Sequence, residues 1–158
     1  MRWRPDVTVA AVVTNESGAF LLVEELIDGQ ACLNQPAGHW EPHETLLEAV
    51  ARETREETGY GFAPTALVGI YHWRHPHKDL TYLRFAFTGN ITDHDPTLPL
   101  DTGIIGPRWV HPNELHTHPL RSTMVQNCIA DYLQGQRAPL TLIRHLVPEQ
   151  NGSPQGFR

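Results

Sequence analysis

Glu53, Glu56 and Glu57, spaced E-x-x-E-E, are the residues of this sequence best suited to chemistry. On an α-helix turning about 100° per residue they gather in one arc roughly 100° wide. Like charges set this close repel by a few tenths of a kcal/mol per pair even when exposed. Arg52 relieves part of that repulsion through its four-residue spacing to Glu48 or Glu56. A hard divalent cation relieves it fully, because magnesium takes carboxylate and phosphate oxygens in an octahedral shell. The competing reading is a solvated acidic face on an exposed helix, which is how most such clusters are used.

Several local signals place these carboxylates. Thr45 followed by Glu48 is a capping box, so a helix is expected to start near Leu46 and run for roughly four turns. Gly59 supplies the left-handed residue that ends it. Leu46, Leu47, Val50, Thr54 and Thr58 share the side that must be buried, with the glutamates along one border and small Ala49 above them. Gly38 and Pro42 keep the approach to the helix irregular.

Gly38, Glu44, Arg52, Glu53, Glu56, Glu57 and Gly59 together fit G-x5-E-x7-R-E-U-x-E-E-x-G-U, where U is bulky and apolar. The segment resembles the signature of the Nudix hydrolases at every fixed letter. Thr54 and Tyr60 stand at the looser U positions, and Thr54 still offers the core a methyl group. The resemblance implies an α/β Nudix fold, a mixed β-sheet in an α/β/α sandwich. It also implies magnesium-dependent hydrolysis of phosphoanhydrides, with manganese able to substitute. Glu53, Glu56, Glu57 and the backbone carbonyl of Ala37 are the metal ligands it implies. Glu53 or Glu56 is the implied general base, Glu53 preferred. Gly38, Glu44 and Arg52 are expected to orient the site. Members of the family often add an acidic residue from a distant loop. The nearest candidate here is Asp101, while residues 103–107, just before Arg108-Trp109, carry no carboxylate, so the usual group is missing or displaced. Glu41 is the fallback. Outside the motif, NQPAGHWE, YLRFAF, RWV, LRS and GQR resemble the NudJ-type phosphatases, from about Val7 to Leu140. That likeness implies nucleoside di- and triphosphates as substrates, with the pyrophosphates of thiamine and of its hydroxymethylpyrimidine precursor.

Composition narrows the alternatives. A chain of 158 residues suits one domain, expected over residues 1–147, with a flexible tail over 148–158. Net charge is −6 and Lys78 is the sole lysine, with the arginines scattered. This disfavours a nucleic-acid partner, whose binding needs clustered cations, and with it a role in trimming RNA 5′ ends. No apolar run approaches the twenty or so residues of a membrane span. Val7–Val13 reads as a strand rather than a signal-peptide core, so a cytoplasmic monomer is expected, with Cys32 and Cys128 as reduced thiols. Two histidine groups (His72, His75, His77 and His111, His116, His118) invite a transition-metal reading, but no H-E-x-x-H or C-x-x-C accompanies them.

Strands are expected at Val7–Thr14, Phe20–Glu25, Ala31–Gln35, Ala66–Trp73, Thr81–Thr88 and Arg108–Val110. Asp28-Gly29 reads as a hairpin turn, residues 89–107 as a long loop, and Leu120–Leu133 as a second helix ended by Gly135. Arg84, mid-strand, needs an anion: a substrate phosphate or a carboxylate. Arg121, near the second helix, meets a phosphate or stays exposed. Trp40, Trp73 and Tyr82 either stack on a base or pack. A nucleotide-binding sensor that cleaves nothing is the alternative function, disfavoured because every motif glutamate is present.

Overall fold

The computed structural model describes residues 1–148. Its strands are β1 (Asp6–Ala11), β2 (Phe20–Ile27), β3 (Gln30–Asn34), β4 (Ala37–His39), β5 (Tyr60–Arg74), β6 (Thr81–His94), β7 (Ile104–Val110) and β8 (Ala138–Pro139), and its helices are α1 (Leu46–Thr58) and α2 (Thr123–Leu133). Two sheets form. One is mixed, in the order β4-β1-β6-β5-β8, with β1 and β6 parallel; the other is antiparallel, β3-β2-β7. Residues of β1 and the stretch after it alternate between two cores. Ala10 and Val12 pack with Val125, Cys128 and Ile129 of α2. Val9, Ala11 and Val13 pack with Leu46, Ala49 and Val50 of α1. A strand covered on both faces has to be apolar throughout, as this stretch is. The mixed sheet lies between helices, as the α/β/α expectation had it.

Helix α1 begins with both bonds of the capping box: Glu48 N–H donates to Thr45 Oγ1 (3.1 Å) and Thr45 N–H to Glu48 Oε1 (3.1 Å). It ends at Gly59, φ 77°. Thr54 and Thr58, in the apolar stripe, spend their hydroxyls on the carbonyls four residues back, Val50 (2.7 Å) and Thr54 (2.5 Å). Polar side chains are thus buried without an orphaned group.

Three expectations need correcting. β5 starts at Tyr60, directly after the helix, rather than at Ala66. β6 runs on to His94 and β7 begins at Ile104, so most of the expected loop over 89–107 is strand. Pro64 and Gly89, residue types that disfavour a strand interior, face each other across the β5–β6 pair beside a register shift. Gly89 is needed there because a Cβ would sit 2.0 Å from the Ala63 carbonyl oxygen. The second helix starts at Thr123, capped by Ser122, which leaves Arg121 outside it. Of the tail expected over 148–158, residues 149–158 lie outside the described residues.

Candidate active site

Strand β4 lies against α1 and fixes the glutamates. The Ala37 N–H donates to Glu57 Oε1 at 2.8 Å. Gly38 packs beneath Glu53 so closely that a Cβ would fall 2.1 Å from the Glu53 carboxyl carbon. Glu53 and Glu57 are therefore buried, each 8% exposed, beside the apolar stripe along whose border the wheel places them.

Arg52 is the hub. Its Nε and NH2 donate to the two oxygens of Glu44 (2.9 and 2.8 Å), and NH1 donates to Glu53 Oε1 (2.8 Å) and Glu56 Oε2 (3.2 Å). NH2 also reaches the His39 carbonyl at 3.0 Å. Glu48 is occupied by the capping box, so of the two i±4 partners only Glu56 engages Arg52. Glu41 is exposed and sits 3.6 Å from Arg52 NH1, on the outside of the network. Glu44 accepts from Arg52 and from the Glu41 N–H (2.9 Å), which ties the loop before the helix to the arginine.

The hydrogen bonds from Arg52 hold the Glu44 carboxyl below its ordinary value of 4.5, against a smaller opposing effect of burial. A depressed folded value stabilises the fold above about pH 4.5, and that contribution fades as pH falls through the folded value. Glu44→Gln is expected to cost about 1–2 kcal/mol at pH 7. In thermal melts its deficit against the wild type should stay constant down to about pH 5 and shrink below pH 4.5; a deficit that grows with acid contradicts the assignment.

Glu53, Glu56 and Asp101 each bring a carboxylate oxygen within 4.8 Å of the others. Among the described residues no histidine or cysteine joins such a group. Asp101 reaches it because its own N–H bonds the Glu56 carbonyl (3.2 Å) at the end of α1. The sequence offers Asp101 as the nearest candidate for a distant carboxylate and leaves that group missing or displaced; the structure sets Asp101 beside Glu53 and Glu56. Glu57 stands outside the group, turned to Ala37. Burial pushes the Glu57 carboxyl up to about 8, with Glu53, Glu25 and Asp101 adding to the rise and the Ala37 N–H opposing it. Burial likewise raises Glu53, outweighing Arg52. Glu53 and Glu57 thus sit where burial disfavours their charge, and the three hard oxygens of Glu53, Glu56 and Asp101, within reach of one point, suit a divalent cation.

On the β4 side of the site lies a cleft of about 770 Å³, lined by Ala37 and Gly38, Arg84, Trp73, Tyr82 and Arg121. Arg84 is 3% exposed and donates to Gln35 Oε1 (2.8 Å) and Asn34 Oδ1 (3.1 Å). No carboxylate forms an ion pair with it among the described residues, although Glu25 lies near enough for the two charges to interact. Arg121 is exposed at the rim, anchored by its N–H to the Leu33 carbonyl (2.9 Å). The rings of Trp73 and Tyr82 lie 5.7 Å apart in the cleft. Trp40 is tied to the Glu44 carbonyl (2.9 Å) and does not line it. Glu25, which the sequence did not single out, also lines the cleft.

Gly38→Ala is expected to fold, because the group in the way is the end of a flexible side chain. The new methyl swings Glu53 out of the carboxylate group and lowers kcat about 10²-fold, the usual cost of misplacing a reacting group by about 1 Å. Steady-state kinetics with a melting curve on the same sample check both halves.

An acidic, cation-seeking helix edge joined to a nucleotide-sized cleft on this two-sheet framework defines a class of phosphoanhydride hydrolases. The NUDIX domain matches residues 4–128, and the chain belongs to that family. Phosphatase NudJ of Escherichia coli (strain K12) is 46% identical over 142 residues, 89% of this chain and 92% of that protein. A NUDIX hydrolase from Nitrosomonas europaea is 44% identical, with a TM-score of 0.87 over 90% of this chain and 97% of that one. The NUDIX domain of Shewanella oneidensis NrtR, complexed with ADP ribose, shares the fold at 14% identity, with a TM-score of 0.70 over 85% of this chain and 90% of that one. The protein is a Nudix hydrolase acting on acid anhydrides in phosphorus-containing substrates. No helix among the described residues is long and apolar enough to cross a membrane.

Proposed function

We propose that the protein is a magnesium-dependent phosphohydrolase of nucleoside di- and triphosphates and small pyrophosphates, including those of thiamine and hydroxymethylpyrimidine. The observation that supports it best is the convergence of Glu53, Glu56 and Asp101 against β4, whose Ala37 and Gly38 line the cleft. These three residues would hold the cation, with the Ala37 carbonyl and Glu57 beside them. When bound, the cation neutralises and polarises the phosphoryl oxygens and acidifies nearby water. Glu53 is the general base of this reading. Its carboxyl is buried, its proton affinity is raised, and Arg52 fixes its orientation. Glu56 is the second candidate. Glu57, held by the Ala37 N–H, keeps β4 against the helix. Arg121 meets the outer phosphates, and Arg84, braced by buried Gln35, holds Asn34 at the cleft wall while adding its charge to the anion's surroundings. The reading takes residues 1–147 as one domain of a cytoplasmic monomer, with no stable nucleic-acid partner.

Incubation with GDP, GTP and thiamine pyrophosphate, with phosphate and pyrophosphate measured separately, tests the proposal. Turnover of at least one is expected, and the product ratio identifies the bond cut. No turnover of any would overturn it.

A further inference from the structure

The apolar strand β2 carries two adjacent carboxylates, and alternation sends them to opposite faces. Glu24 accepts from Arg108 NH1 at 2.8 Å. Glu25 points the other way, into the cleft, at a break in register where Glu24 faces Gly106 and Glu25 faces Ile104. A bulge of this kind re-aims a side chain. Glu25 Oε1 is buried there without a hydrogen-bond partner. No cation forms an ion pair with it among the described residues, and its cross-strand neighbour is the neutral Cys32. Burial raises its proton affinity despite the charges of Arg121 and Arg84 and a hydrogen bond from the Asn34 side chain to the carboxylate, which leaves Oε1 the atom without a partner.

Two more buried polar atoms without partners line the same cleft, Arg84 Nε and Thr8 Oγ1, on residues 3% and 6% exposed that face each other in register across β1 and β6. Unpaired buried groups are too costly to be kept idle, so a ligand that completes all three at once is the economical occupant. Glu25 is absent from the group whose oxygens converge for a cation, so its missing partner is an N–H or O–H donor. An acceptor and two donors lining one cleft complement an amino group flanked by a ring nitrogen or carbonyl, the edge of a heterocyclic base. The Trp73–Tyr82 pair in the same cleft gives such a ring a surface to lie on.

We propose that Glu25 is a specificity-determining residue that accepts the exocyclic amino group of the substrate's base, with Arg84 and Thr8 meeting the atoms next to it. The inference rests on the nucleotide reading above. It predicts a preference for amino-bearing bases over their oxo or unsubstituted counterparts. The test is kcat/KM in Mg²⁺ for GDP against IDP, which differ only by the 2-amino group, and for CDP against UDP. The wild type is expected to favour the amino partner about tenfold or more in at least one pair, since a site built to bond a polar group discriminates against its loss. Glu25→Gln and Glu25→Asp are expected to bring that ratio toward one. Each ratio is taken on a single preparation and is indifferent to the fraction folded. Wild-type ratios near one in both pairs overturn the proposal. So does a Glu25→Gln ratio equal to the wild type's, or a preference that tracks only the ribose hydroxyls when 2′,3′-dideoxy-GDP is compared with GDP. Hydrolysis of none of the four nucleotides overturns the nucleotide reading itself, and this inference with it.

Discussion

Replacing Glu53 with glutamine is expected to lower kcat by about 10² to 10⁴, the usual cost of removing a general base. The change is nearly isosteric, so the contact over Gly38 and the bond from Arg52 remain possible, and the melting temperature should hold. A loss confined to kcat, with KM for the nucleotide little altered, marks a group that acts on the reacting water. Glu56→Gln measured in parallel decides between the two candidates: the base shows the larger fall and a loss of the acid limb of the pH–rate profile. A Glu53→Gln protein within threefold of the wild type would remove Glu53 from the role.

Stripping divalent cations with EDTA is expected to lower turnover by about 10³-fold or more, because polarising the phosphoryl group contributes several kcal/mol to the barrier. Excess Mg²⁺ or Mn²⁺ should restore it. The same chelation should barely change folding, since β4, α1 and Arg52 hold the carboxylates together without an ion. Full activity in EDTA would remove the cation from the mechanism. Recovery with zinc alone would return attention to the histidines.

The helix was readable because each of its signals is local. Thr45 and Glu48 cap it, Gly59 stops it, and its buried stripe repeats at helical spacing. The two-sided burial of Val9–Val13 was readable for the same reason. The extent of β5 and β6 was not, because Pro64 and Gly89 break a strand pattern in isolation and only their pairing makes them compatible with one. The strand β4 was hidden because Gly38 and Pro42 mark an irregular approach to the helix when read without its pairing to β1. Asp101 was named but could not be placed, since its approach depends on one long-range bond to the helix terminus. Glu25 was missed because two successive glutamates in a strand look solvated until one knows which face is covered. Its only sequence trace is its position inside the otherwise apolar run FLLVEELI.

The segment between β6 and β7 is pinned to the last turn of α1 at both ends: Asp95 N–H to the Gly59 carbonyl (2.9 Å) and Asp101 N–H to the Glu56 carbonyl (3.2 Å). Helix termini leave such carbonyls open, and here a distant stretch of chain closes them. Fraying of that turn would therefore release Asp101 at the same moment that it disorders Glu56. The backbone amide of Asp101 becomes a spectroscopic gauge of whether the whole acidic cage is assembled. Its deuterium uptake would slow when a cation locks the two pieces together, even where no substrate is turned over.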